Sequence, residues 1–271
     1  MFRAKQLFLL ILISLISRAA FSQMRVAHEI GVIAGPVAFK SDYGVRTNWD
    51  TNAGNVGLGI GIVHFLDFAY RSNRGSYTVD YFYDHFKIRT ELSYNKTKLA
   101  HFGTFVDPSK TSDEAQRLRD HKGEANNFNV GMQLEYFPLS IRDFQAFSSR
   151  WAPFISAGAQ YVSYNPKVST SYMGEGNPGN INNLNNFYTP WSAPGLPNPI
   201  NVSSGTTWSI VTSVGVRYKL NTMSDLMIDL RGQYYLSDWV DGLNHGLSYN
   251  KYNDWMVWLN FGYILYLDEY L

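Results

Sequence analysis

Five stretches of this chain alternate between apolar and polar residues over an unusual length. From Phe86 one face reads Phe86, Ile88, Thr90, Leu92, Tyr94, and the other reads Lys87, Arg89, Glu91, Ser93, Asn95. From Phe128 the pattern is Phe128, Val130, Met132, Leu134, Tyr136 against Asn129, Gly131, Gln133, Glu135. From Trp208 it is Trp208, Ile210, Thr212, Val214, Val216, Tyr218 against Ser209, Val211, Ser213, Gly215, Arg217, Lys219. Leu226, Ile228, Leu230, Tyr234 and Leu236 face away from Asp225, Met227, Asp229, Arg231 and Gln233. The run from Trp255 to Leu267 carries Trp, Val, Leu, Phe, Tyr, Leu and Leu at every second position. A period of two is the signature of a β-strand. Three further strands are expected at about His28–Phe39, Gly54–Phe68 and Pro153–Tyr164.

These runs last about ten to fifteen residues, against five or six for a typical strand. A soluble sandwich would turn the apolar faces onto a shared core. Here several runs begin or end in an aromatic residue on the apolar face: Tyr94, Tyr136, Trp208, Tyr218, Trp255. Amphipathic rings at both ends of an apolar band form the girdles of a membrane barrel, because they settle at headgroup level. The 19 Tyr, 17 Phe and 7 Trp of the 271 residues suit that use. The opposite faces mix charged and small residues, as a narrow lumen of paired charges requires. Gly57, Gly59 and Gly61 share one face and would let a small barrel curve tightly. The reading is all-β: a closed antiparallel transmembrane β-barrel of about eight strands. Closure satisfies every backbone amide, as lipid demands. No stretch reaches ~18 uninterrupted apolar residues, so no transmembrane helix is expected.

The connections are expected at 40–53, 69–79, 97–126, 139–152, 165–205, 220–224 and 238–253. The odd ones are the longer set. Bacterial barrels have short periplasmic turns and long outer loops, so the N- and C-termini are read as periplasmic and the long loops as extracellular. The start fits a cleaved signal peptide. Arg3 and Lys5 precede an apolar run of about ten residues, and Ala20 and Ser22 offer a cut before Gln23. Residues 1–22 are then signal peptide and 23–271 one outer-membrane barrel domain. Processing removes Arg3, Lys5 and Arg18 and no acid, taking the formal charge from +1 to −2.

With no Cys, the chain has no disulfide scaffold, Cys-ligated metal or thiol nucleophile. Its near-neutral charge argues against a nucleic-acid partner. No dinucleotide fingerprint, Walker A loop, H-E-x-x-H or G-x-S-x-G occurs, so neither a cofactor nor a nucleotide partner is expected. His85 with Ser93, or His245 with Ser248, are conceivable rim pairs, but rim solvation explains such histidines better. His101 and His121 flank a charged loop and would be a weak metal pair. The residues singled out are Lys87, Arg89, Glu91, Glu135, Arg217, Asp229 and Arg231, expected to form a lumenal salt-bridge network. Residues 107–123 can form a short helix, with Pro108 near its start and Gly123 after its end. Asp238–Gly242 reads as a turn. In the Asn-, Pro- and Gly-rich loop 165–205, Phe187, Tyr188 and Trp191 are possible contact anchors.

Several segments carry a resemblance: HEIGVIAGPVAFKSDYG, NVGLGIGIVHFLDF, FKIRTELSYNKT, GMQLEYFPLSIRDF, SDLMIDL, LSDWVDGLN and NDWMVWLNFGYILYL. They resemble a family of small outer-membrane β-barrel proteins of Flavobacteria and other Bacteroidota, over nearly the whole mature chain. The architecture is similar to the OmpA, OmpX and OmpW class, and to the small barrel of the type IX secretion apparatus. The resemblance implies no catalytic residues. The expected role is a non-enzymatic structural or interaction component of the cell envelope, in contact with outer-membrane lipid and with envelope protein partners. The alternatives are a narrow transport barrel for small or apolar solutes and a lipid-modifying enzyme.

Overall fold

The computed structural model describes residues 26–69, 81–172, 199–248 and 250–267. Its strands are β1 (Ala27–Lys40), β2 (Val56–Asp67), β3 (Phe86–Ala100), β4 (His121–Tyr136), β5 (Trp151–Tyr164), β6 (Lys167–Thr170), β7 (Gly205–Asn221), β8 (Ser224–Tyr235) and β9 (Trp255–Tyr266). Eight of them form a ring in which each pairs antiparallel with its neighbours, and β9 returns to pair with β1. The sheet is therefore a closed eight-stranded barrel. Only the short β6 lies outside the ring, paired with His121–Glu124 at the far end of β4. Among the described residues no helix is long and apolar enough to cross a membrane.

Burial is inverted relative to a soluble domain. The face carrying Lys87, Arg89 and Glu91 is inside, while Leu58 and Ile60 are 71% and 61% exposed. The exposed wall is aliphatic between two aromatic levels. At the end bearing the termini, Phe86 meets Tyr136 and Trp151 meets Tyr218, with ring centroids 5.1 and 4.6 Å apart. Toward the other end Tyr161 and Trp208 pair edge to face at 5.5 Å. Polar groups interrupt the wall at a few points: Thr212 is exposed between Ile210 and Val214, and His64 lies 3.0 Å from His28 and 3.3 Å from Thr90 Oγ1.

The connections 41–55 and 101–120, and the described parts of 165–204 and 236–254, lie at the end away from the first and last described residues. The β7–β8 connection is only residues 222–223, tighter than the expected 220–224. Two expectations need correction. The β2–β3 connection is 68–85, not 69–79, and it ends in a short helix (Tyr81–His85), so the alternation of long and short fails there. β3 and β4 also run further than expected, reducing 97–126 to 101–120, because pairing continues from Lys96 to Ala100 after the outward face has turned polar. The helix expected in 107–123 is Asp113–Asp120. Ser112 caps it by accepting the Ala115 amide, and Gly123 lies in β4. Residues 1–22, the tail after Leu267, and Phe187, Tyr188 and Trp191 lie outside the described residues.

Gly59 faces the lumen, where a Cβ would stand 2.4 Å from the ring of the fully buried Trp258. The glycine on β2 is thus the space that the indole on β9 fills. Gly59→Val is expected to abolish the compact, heat-modifiable gel band, because neither ring nor wall can yield. Gly59→Val with Trp258→Leu should restore it. A single variant that folds like the parent would remove this account.

Candidate functional site in the lumen and at its mouths

The lumen is organised in layers. All seven residues singled out for a lumenal network lie inside it, none more than 4% exposed. Near the termini, Lys87 Nζ bonds Glu29 at 2.5 Å and Asp67 at 2.8 Å. Arg217 bridges Glu29 at 2.6 Å and Glu135 at 3.2 Å. Arg89 reaches Glu91 at 2.9 Å, Asp229 at 3.0 Å and Glu135 at 3.6 Å. Arg231 clamps both oxygens of Glu91, at 2.5 and 2.6 Å, the fork geometry that makes guanidinium the strongest partner for a carboxylate. Strands β1, β2, β3, β4, β7 and β8 all contribute, so the network ties the ring across its bore.

Four members escaped the sequence reading: Glu29, Asp67, Lys219 and Asp225. Lys219 lies 3.4 Å from Asp225, whose other oxygen accepts the Tyr266 hydroxyl at 2.5 Å. Their signal was available. Lys219 and Asp225 share the inward parity of Arg217 and Asp229, and Glu29 and Asp67 share the inward parity of their own strands.

Above the charges lies a neutral layer. Gln233 donates to Asn129 at 3.1 Å and to Ser209 at 2.8 Å, and Asn127 donates to Asn95 at 3.2 Å. Phe39, Tyr235, Met256 and Trp258 close over this layer, all fully buried. At the opposite mouth the β4–β5 connection folds into the opening. Its short helix (Ile141–Gln145) buries Ile141 and Phe144, and Phe137 packs against Phe154 with centroids 5.6 Å apart. Gln145 donates to Asp67 at 2.5 Å, joining this plug to the network.

The mouth away from the termini holds a second cluster. Arg46, from the β1–β2 loop, pairs with Asp42 at 2.6 Å, and with Asp238 at 2.5 Å and Asp254 at 3.1 Å from the β8–β9 loop. Asp241 accepts the Asp42 amide at 2.9 Å, and Asn250 donates to Gly44 O at 2.6 Å. The segment Asp238–Gly242 does turn: the Gly242 amide reaches Trp239 O at 3.2 Å, and Gly242 takes φ +82°. It also latches one loop to another. Burial raises the Asp238 carboxyl to about 6 and, with Asp238 nearby, the Asp241 carboxyl to about 7.

Compared with solved structures, the chain resembles Neisserial surface protein A, with TM-score 0.42 and 12% identity over 88% of this chain and 96% of that one. It also resembles the Yersinia pestis attachment invasion locus protein Ail, solved with the heparin analogue sucrose octasulfate (TM-score 0.39, 10% identity, 90% and 99% covered). A third is a major outer membrane protein of Thermus thermophilus (TM-score 0.44, 13% identity, 89% and 100% covered). No family model and no curated protein sequence matches the chain.

The rim pairs named from sequence do not assemble. His85 bonds Tyr81 O at the terminal end, whereas Ser93 is inside the bore near Asn129. His245 is buried 3.9 Å from Asp42, while Ser248 is exposed. His101 and His121 do meet, with ring nitrogens 3.3 Å apart, but no group of three or more metal-ligating side chains converges among the described residues.

Proposed function

We propose that this chain is an integral outer-membrane barrel without catalytic activity, serving as a structural or interaction component of the envelope. Residues 1–22 act as its cleaved signal peptide. Both termini face the periplasm, and the latched loops face outward toward lipid and envelope proteins. Support for the membrane comes from the inverted burial: an aliphatic, aromatic-girdled wall is stable only against hydrocarbon.

One observation carries the interaction reading over transport. The bore is filled by five cations (Lys87, Arg89, Arg217, Lys219, Arg231) and six carboxylates (Glu29, Asp67, Glu91, Glu135, Asp225, Asp229), and both mouths are covered. A solute would have to separate charges that have no water to replace their partners. The working surface is then the outer loops. In planar bilayers the full-length barrel is expected to give no steady channel, and mild-detergent purification is expected to bring down a stoichiometric envelope partner. Reproducible unit conductance would favour transport instead. Altered lipid A or phospholipid profiles in a deletion strain would favour lipid modification.

A further inference from the structure

The outward faces of β3 and β4 change character beyond the upper aromatic level. On β3, Leu92 and Tyr94 give way to Lys96 and Lys98; on β4, Phe128 gives way to Asn126, Glu124 and Lys122. Tyr94 marks the boundary, its hydroxyl donating to Asn126 Oδ1 at 3.1 Å. β6 lies alongside and adds Lys167 in register with Glu124, which also faces Lys98. Each outward position along a tilted strand rises about 5 Å. Lys96 and Lys98 therefore stand one and two outward positions above the girdle, about 5 and 10 Å, and Lys122 one position higher at about 15 Å, from where its long side chain can reach back toward the interface.

The charges do not cancel. Glu124 is fully used, one oxygen by Lys96 at 2.9 Å and the other by Lys167 at 3.1 Å. Lys98 and Lys122 are exposed, and neither forms an ion pair with a carboxylate among the described residues. Both line a pocket of about 490 Å³, together with Lys167, Glu124 and the ring of Phe102. Four lysines face one carboxylate directly above an apolar wall. That arrangement complements an amphiphile whose head is anionic and whose tails run down the barrel.

We infer that this pocket binds the phosphorylated headgroup of a lipid in the surrounding leaflet. Lys98 and Lys122 take the phosphate, and Leu92, Tyr94, Phe128 and Val130 receive the acyl chains. The inference rests on the membrane reading above and names the lipid chemistry that reading leaves open.

The test uses the full-length barrel in neutral detergent, titrated in native mass spectrometry with bisphosphorylated lipid A, with its dephosphorylated form, and with inorganic phosphate. The parent is expected to retain lipid A about ten- to thirtyfold more tightly than the dephosphorylated form, since each of the two lysines near an anionic surface contributes about a fivefold share. Lys98→Gln with Lys122→Gln should erase that difference, while Lys110→Gln should not. Equal retention of the two lipids by the parent would overturn the site, whatever the variant does. Inorganic phosphate binding as tightly as lipid A would overturn the lipid assignment. Whether the barrel fractionates with the outer membrane is scored separately: an inserted barrel indifferent to phosphate refutes only this site, whereas a chain that never inserts refutes the membrane reading.

Discussion

Arg89→Leu is expected to lower the temperature at which the compact gel band is lost by about 10 °C or more, corresponding to ~3–5 kcal/mol. Arg89 is fully buried and faces three carboxylates. Two of them keep another guanidinium: Glu91 has Arg231 and Glu135 has Arg217. Asp229 has no second cation among the described residues and retains only the Asn260 amide, at 2.7 Å. The variant therefore strands a charge where water cannot reach it, the costliest way to break a buried pair. Arg89→Leu combined with Asp229→Leu should recover a large part of the loss, because the uncompensated charge goes with its partner. Lys110→Leu, on an exposed loop, should change the transition by less than about 0.5 kcal/mol. If Arg89→Leu and Lys110→Leu melt together, the residue is solvated and the layered lumen is wrong.

Arg46→Met should release the β8–β9 loop, read as rapid protease nicking within 236–254 of the detergent-solubilised barrel at pH 8. The substitution leaves Asp42, Asp238 and Asp254 gathered with no cation among them, an expected cost of ~3 kcal/mol at the loop. The same latch should respond to pH in the parent protein. Burial raises Asp42 and Asp254 well above the carboxylate range, with Asp241 adding to both, and lifts Asp241 to about 7 and Asp238 to about 6. The docked loop thus holds protons that the released loop gives up. Its stability is lost as pH rises through about 7 and grows as pH falls toward the ordinary carboxylate range. The histidines packed alongside pull the other way. Burial lowers His245 to about 4 and His101 to about 3, and lowers His121 as well; below about 6.5 the released loops take up those protons instead. Protection should therefore climb steeply from pH 9 to about 6.5 and flatten below that. Acid should also partly rescue Arg46→Met, by neutralising the acids it leaves unpaired. Protection that rises with pH would contradict this assignment of the latch.

The strands were readable because a barrel wall imposes strict two-residue parity over long runs. Arg89 opposite Gln133 and Leu92 opposite Val130 follow from the same alternation that places one pair inside and the other out. Parity also fixed which charges enter the bore, though not their partners: Arg89 and Asp229 are 140 residues apart, and barrel curvature rather than register brings them together. Loops have no such periodicity. Arg46 and Asp254 are separated by 208 residues in irregular chain, and Asp238–Gly242 showed its turn but not its partner. The terminal plug was hidden for a related reason. Ile141 and Phe144 form only part of a helical turn, too short for a 3.6-residue pattern to show.

The pairing of Glu29–Lys40 with Trp255–Tyr266 has a consequence for biogenesis. The first hairpin of the chain cannot find its last hydrogen-bonding partner until almost the entire polypeptide is available. Until then two raw sheet margins and a half-built ionic bore face whatever surrounds them. A product truncated even a dozen residues early would keep those margins for good.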